Sequence, residues 1–273
     1  MLKKILKPIV ISSLAICLNA IAGGPAKYVE PPTKSPLDGL YAGFVFGLVS
    51  GDSRNFTTSD VDLVNGGAGN PNSIELFNNN LNEKVQPQFG MNLGYGIAFS
   101  QHIYTGAEFF VDTRRQNGEG SIEFNRSNNA GLVFSVKNDV TVKDTGAEYG
   151  VRLRPGYLFT PRFLLYAVIG YIRTKFNVIS ETVYNRPAGN DRGASSLDIT
   201  KTDSGIEAGL GIEYSLGPRF SIRGEYVFTG YEPIDLNGTA PITGAQAGDD
   251  IVNRTSVTPK NQKFLISFQY FFT

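Results

Sequence analysis

The chain has 273 residues, 41% of them apolar and only 18% charged, with 31 Gly, 19 Phe, 13 Tyr, no Trp, one Cys and one His. This composition excludes disordered and collagenous chains, and no apolar run is long enough for a helix to span a bilayer. The 25 basic residues balance 25 acidic ones, so net charge advertises no phosphate-rich partner and nucleic acid is not an expected ligand.

At the N-terminus, Lys3, Lys4 and Lys7 precede an apolar stretch from Ile9 to Ala22. This is the layout of a secretory signal peptide over residues 1–22, with Ala20 and Ala22 as the small residues a signal peptidase needs and Gly23 as the first mature residue. Leu14-Ala15-Ile16-Cys17 is similar to a lipidation motif, but the bulky Ile16 stands where a small residue is required. Cleavage removes three lysines and the only cysteine, which leaves three more acids than bases and excludes disulfides and thiol chemistry from the exported form. Residues 23–38 carry Pro25, Pro31, Pro32 and Pro36 and little to bury, as expected of an extended, solvated periplasmic arm.

From Gly39 to the C-terminus the dominant signal is alternation with a period of two, which predicts strands and no helices. The first segment sets Leu40, Ala42, Phe44, Phe46 and Leu48 against Tyr41, Gly43, Val45 and Gly47. In the second, Phe89, Met91, Leu93, Tyr95, Ile97 and Phe99 alternate with Gln, Asn, Ala and Gly. The third, from Ile103 to about Arg115, opposes Ile103, Ala107, Phe109 and Val111 to Tyr104, Glu108 and Asp112. The fourth and fifth run over Ala147 to Leu158 and Phe163 to Lys175. The sixth sets Ile206 to Tyr214 against Gly205 to Glu213, the seventh Phe220 to Phe228 against Ser221, Arg223 and Glu225, and the eighth closes on Phe272.

The connections alternate in length as well. Those at Ser100 to His102, Phe159 to Arg162 and Ser215 to Arg219 are tight, whereas Ser50 to Gln86, Gln116 to Thr145, Asn177 to Asp203 and Tyr231 to Lys260 are long and rich in Asn, Gly, Asp and Ser. Alternation also resumes around Leu132 to Val142, where the second long connection projects its strands or forms an additional hairpin.

A soluble sandwich also alternates, so the contents of the second face decide the reading. Glu108, Glu148, Arg152, Arg154, Arg173, Glu207, Glu213, Arg223 and Glu225 fall opposite the large apolar residues, with Lys263 near the rim of the last segment. Together with the signal peptide and the one-sided long connections, this points to a closed sheet in lipid with its apolar face outward. The expected fold is all-β: an eight-stranded antiparallel up-and-down transmembrane β-barrel over residues 39–273, with short periplasmic turns and four long extracellular loops. Matching the inward faces of the fourth and fifth segments sets Glu148 opposite Arg173 as a cross-strand ion pair, and gives a lumen of five acids and five bases.

The stretches Leu37-Asp38-Gly39-Leu40-Tyr41-Ala42-Gly43, Tyr149 to Tyr157, Gly211-Ile212-Glu213-Tyr214 and Arg223-Gly224-Glu225-Tyr226 carry a resemblance to the small outer-membrane β-barrel superfamily of OmpA transmembrane domains, OmpX and the opacity proteins. The likeness covers Leu40 to Thr273. Phe264, Ile266, Phe268, Tyr270 and Phe272 resemble the family's C-terminal assembly signal, with Phe272 penultimate before Thr273. The resemblance implies outer-membrane lipid and lipopolysaccharide as surroundings, insertion by the outer-membrane assembly machinery, a monomer, and no peptidoglycan-binding domain in a chain of this length.

Catalysis by a histidine relay has only His102, which lies in a tight turn. Asp60 with Asp62, and Asp249 with Asp250, lack ligand spacing for calcium, so no cofactor is expected. The leading expectation is a non-enzymatic surface protein whose loops meet a host or matrix ligand, among them the Asn-rich first loop around Gly66-Gly67-Ala68-Gly69. The competing expectation is a narrow passive diffusion channel.

Overall fold

The structure is a computed structural model that describes residues 35–51, 54–62, 72–78, 82–83, 85–113, 117–127, 133–144, 146–186, 190–241, 243 and 250–272. The signal peptide with Ala20 and Ala22, the arm before Ser35, the stretch Gly66 to Gly69 and Asp249 lie outside these residues. In chain order the strands are β1 (Gly39–Gly51), β2 (Arg54–Asp62), β3 (Asn72–Asn78), β4 (Asn82–Glu83), β5 (Gln86–Ala98), β6 (Ile103–Thr113), β7 (Asn117–Ser127), β8 (Val133–Asp144), β9 (Ala147–Thr160), β10 (Phe163–Arg186), β11 (Asp191–Ser215), β12 (Phe220–Tyr231), β13 (Ile234–Pro241), β14 (Asp250–Thr258) and β15 (Lys260–Phe271).

Eight of them close into an antiparallel ring in the order β1, β5, β6, β9, β10, β11, β12, β15, with β15 returning to β1 so that Phe44 lies opposite Phe268. The outward positions form a band. Leu40 to Leu48, Phe89 to Ile97, Val151 to Tyr157, Ile206 to Tyr214 and Phe264 to Phe272 each present an apolar or aromatic side chain at every second residue, most of them exposed. Nine residues at about 3.3 Å each, tilted by about 40° as closed strands are, cover roughly 23 Å, close to the height of a hydrocarbon core. Beyond the band at the long-connection end, the next outward residue is uncharged on seven of the ring strands, namely Ser50, Pro87, Thr113, Ala147, Ser204, Gly230 and Gln262. On β10 it is Arg173, followed by Lys175.

The three tight turns lie at one end of the ring, as the connection lengths require. That end also holds the last residues of the N-terminal arm, and here the expectation of a solvated segment is corrected for Ser35 to Asp38. Leu37 is fully buried against Tyr41, Tyr104, Leu158, Leu164 and Phe271. Asp38 accepts a hydrogen bond from the Ala98 amide at 2.8 Å, and the Ser35 hydroxyl donates to the Pro161 carbonyl at 2.8 Å. Leu37 thus fills the barrel mouth at the tight-turn end.

At the other end the long connections are largely strand rather than loop. β10 and β11 run as one uninterrupted hairpin from Phe163 to Ser215, paired residue for residue up to Arg186 and Asp191. β7 and β8 form the additional hairpin, with β8 pairing along the far half of β10. β13, β14, β2 and β3 make a second sheet, linked to β11 by a bridge between Arg192 and Thr243. The sequence explains the continuation: Val140, Val142, Phe176, Val178, Ile234, Leu236 and Val257 alternate inward and form a second buried cluster with Phe110, Ile172 and Tyr231. This burial holds together hairpins whose outer faces are mostly polar, with Val183 and Ile199 among the exceptions.

A positive charge at mid-band tests the assignment of the outward face. Leu93→Arg, at the centre of the β5 band, is expected to lower the stability of the refolded chain in lipid by about 2–4 kcal/mol. Urea unfolding in vesicles, followed by heat-modifiable gel mobility, measures it.

Candidate functional site

The lumen between the two apolar clusters is the most chemically dense part of the molecule. Gly94 and Gly96 of β5 make room for the two flanking strands: the hydroxyl ends of Tyr41 of β1 and Tyr104 of β6 lie over them. On β10, a Cβ at Gly170 would stand 3.0 Å from the Arg152 Cγ and 3.2 Å from a Glu207 carboxylate oxygen, so glycine lets that ion pair seat against the wall.

Glu108 of β6 accepts hydrogen bonds from Arg223 Nη1 of β12 at 3.0 Å and from the Tyr41 hydroxyl at 3.1 Å, with Arg154 Nε at 3.5 Å and Arg152 Nη1 at 3.6 Å. Because β6 and β12 are four strands apart whichever way the ring is followed, the Glu108–Arg223 bond crosses its full width. Lys263 of β15 and Glu148 of β9 form a second crossing, and the same ammonium reaches Glu207 at 2.7 Å. Arg152 grips Glu207 with two donors, at 2.6 and 3.2 Å, and its guanidinium lies 3.7 Å from the Phe110 ring centroid. Glu213 receives Arg154 and Arg223, each at 3.2 Å, and the Ser221 hydroxyl at 2.6 Å. Tyr166 donates to Glu225 and Tyr231 to Glu148, both at 2.6 Å. Charges removed from water survive only where such partners replace hydration, and here nearly every one has several.

The structure places nine of the ten lumenal candidates inside the ring and joins them in one network: Glu108, Glu148, Arg152, Arg154, Glu207, Glu213, Arg223, Glu225 and Lys263. Arg173 is the correction. It is exposed on the outer face and stands opposite Tyr149, and the partner of Glu148 is Lys263. Alternation cannot orient β10, because Leu164 to Ile169 is apolar on both faces. A bulge at the tight turn then sets the register: Phe163 pairs with Thr160 but Leu164 with Leu158, which skips Phe159. A one-residue slip reverses every facing, and the expected pairing misses by that one residue.

With Arg173 outside, the expected balance of charge in the lumen fails too. Asp112, whose inward position follows from the same alternation as Glu108, joins the buried acids and receives Gln88 Nε2 on one oxygen. Its other oxygen, with Gln88 Oε1, Asn92 Oδ1 and Gln269 Oε1, has no hydrogen-bond partner.

Outside the lumenal network the chemistry is ordinary. Asp203 is pushed up from its usual value by burial, against the pull of Lys201 at 3.8 Å. The Lys137 ammonium is raised by its hydrogen bond to Asp139 at 2.7 Å. His102 stacks on Tyr157 in its turn and its Nδ1 lies 3.0 Å from the Leu158 carbonyl. Among the described residues no group of His, Cys, Asp and Glu is placed to hold a metal ion. Asp60 and Asp62 lie on β2 and Asp250 on β14, within the second sheet. Phe264, Ile266, Phe268, Tyr270 and Phe272 line the outer face of the last strand.

An antiparallel ring with an apolar exterior and a salt-bridged interior defines the class of integral β-barrels. The chain belongs to the outer membrane protein beta-barrel domain family, whose model matches residues 18–272. It is an outer-membrane protein. The 31 kDa outer-membrane immunogenic protein of Brucella melitensis is 25% identical over 240 residues, which cover 82% of this chain and 87% of that one, and its Brucella suis counterpart matches equally. Among solved structures, OprG of Pseudomonas aeruginosa is 14% identical with a TM-score of 0.39, covering 87% of this chain and 97% of that one. Ail, the attachment invasion locus protein of Yersinia pestis, is 14% identical with a TM-score of 0.27, covering 83% and 99%.

The network should be stabilising only as a unit. Arg152→Ala leaves Glu207 and Glu108 short of a buried partner and is expected to cost about 3–5 kcal/mol, read from urea unfolding in micelles. Gln101→Ala, in an exposed turn, should leave the unfolding midpoint unchanged.

Proposed function

We propose that this protein is a non-enzymatic surface protein: an eight-stranded transmembrane barrel that stabilises the outer membrane and holds its long hairpins out for contact with host or matrix. Residues 1–22 act as the signal peptide, the tight turns face the periplasm and the hairpins face outward. The observation that carries the reading is the filled lumen. Leu37 with Tyr41 and Phe271, then the ion-pair network, then Phe110 with Phe176 and Ile234 occupy it in succession. Such an interior serves as a rigid mount, and rigid mounts are where display surfaces are carried. The name of the Brucella relatives, outer-membrane immunogenic protein, supports exposure at the cell surface. The single histidine, in a turn at the far end from the hairpins, supports a role without catalysis. Lipopolysaccharide, the assembly machinery reading Phe264 to Phe272, and a monomeric state complete the proposal.

A second reading, a narrow passive channel, draws on one observation: the unsatisfied acceptors of Gln88, Asn92, Asp112 and Gln269 line one wall and favour water and cations there. Planar-bilayer conductance of the refolded chain from Gly23 separates the two. The display reading expects no reproducible steps from protein shown to be folded by heat-modifiable mobility, and cation-selective steps would establish the channel. Trimming residues 65–82 should reduce adhesion to cells or matrix while leaving assembly intact, and unchanged adhesion would remove that segment from the contact surface.

A further inference from the structure

Among the described residues the lumen does not balance its own charge. Arg152, Arg154, Arg223 and Lys263 are the buried bases of the ring, and six acids face them: the five glutamates of the network and Asp112. Each glutamate has one of these bases within 3.9 Å, the distance from Glu225 to Arg152 Nη1. Asp112 is different. It is fully buried, its hydrogen bond comes from the neutral Gln88 amide at 2.5 Å, and no described base stands at ion-pair distance from it. It also lies directly opposite Glu148, a like charge. A carboxylate in such a place needs a positive partner.

The strands beside Asp112 make room for one and line that room with oxygen. Gly90 of β5 faces Asp112, and Asp112 Oδ1 occupies the space that a Cβ at Gly90 would take. Gln88 and Asn92 are the inward residues on either side of Gly90, so this oxygen leans between them. Gly43 of β1 faces Asn92 on one side and Gln269 on the other, and Gln269 Oε1 leans over Gly43 in the same way. Asp112 Oδ1, Gln88 Oε1, Asn92 Oδ1 and Gln269 Oε1 all lack a hydrogen-bond partner, and none of the four residues is more than 6% exposed. Neighbouring strands are about 4.8 Å apart and successive inward residues about 7 Å apart. Asp112 from one side and Gln269 from the other therefore reach the neighbourhood of Asn92.

We propose that Asp112, with the amide oxygens of Asn92, Gln88 and Gln269, binds one alkali-metal cation as a fixed part of the closed lumen. An all-oxygen set selects a hard cation over zinc or copper. One carboxylate among neutral amides selects a single charge, because calcium sites recruit several carboxylates and the neighbouring Glu148 already holds Lys263 and Tyr231. Water alone satisfies the acceptors but leaves the charge. The ion thus does on the β5 side what Lys263 does from β15. This goes beyond the display reading without depending on it, since an ion held in a closed lumen carries no current.

The chain from Gly23, refolded in zwitterionic micelles at mildly alkaline pH, is unfolded in urea while sodium or potassium chloride replaces tetramethylammonium chloride. Constant ionic strength cancels general screening. Binding of one ion lowers the unfolding constant about tenfold for each tenfold rise of the better-bound cation above its Kd. Asp112→Asn should abolish this dependence. Asn92→Leu, which keeps the charge and removes one ligand, should shift it to about tenfold higher salt. Asp198→Asn, at an exposed carboxylate, should leave it unchanged, and heat-modifiable mobility confirms that each variant is folded. Equal stability in alkali and tetramethylammonium salts would overturn the inference. So would a dependence that survives Asp112→Asn or that Asn92→Leu leaves unmoved, and so would stabilisation by calcium alone or by acid alone. Planar-bilayer conductance of the same preparation keeps the two questions apart: the dependence without current steps supports the site in a closed barrel, and steps without the dependence reject the site and the display reading together.

Discussion

A ring of eight strands is narrow enough that a side chain rooted on one wall reaches the other. The rest of the molecule follows from that dimension. Backbone groups facing lipid must be paired within the sheet, which forces closure, and closure at this width leaves an interior that side chains must fill. Arg223 reaching Glu108 and Lys263 reaching Glu148 are spokes across the ring rather than contacts along its wall. Each spoke carries a charge that lipid would not tolerate on the other face, so the pattern of the strands and the cohesion of the lumen have one cause.

The apolar clusters at the two ends protect this arrangement. Ion pairs are strong where water is excluded and weak where it competes. Leu37 among the aromatic residues at one mouth, and Phe110, Phe176 and Ile234 at the other, keep the network dry without contributing a charge to it. The hairpins are therefore part of the packing of the barrel interior. Their inward valines and isoleucines extend the barrel interior past the band, and the polar outer faces of Thr141, Asn177 and Thr200 identify that part as the section that meets water.

Much of this was legible in the sequence because a period of two is unambiguous when one face is apolar and the other is not. β5, β9, β11 and β12 satisfy that condition, and with them come the outward face of the ring and seven of the nine lumenal charges. β10 does not, since Leu164 to Ile169 is apolar on both sides, and periodicity alone leaves the face of Arg173 open. A skipped Phe159 has no signature of its own, so the register of that pair was beyond periodicity. The hairpin strands were faint for a different reason: segments such as Ala194 to Thr202 carry serine, threonine and aspartate, and they pair because their neighbours are in place. Leu37 looked like part of a proline-rich arm because nothing local reveals a distant mouth that fits it.

The seam between β1 and β15 pairs Tyr41 with Phe271 and so joins the first strand of the ring to the last. Until the final strand arrives the sheet has two open edges, and Glu148 lacks the Lys263 that reaches it across the ring. Closure of the ring therefore waits for its last dozen residues, which pair with both β1 and β12. Time spent waiting for the C-terminus is thus built into the topology, and a truncation of a few residues there would cost the whole ring rather than one strand.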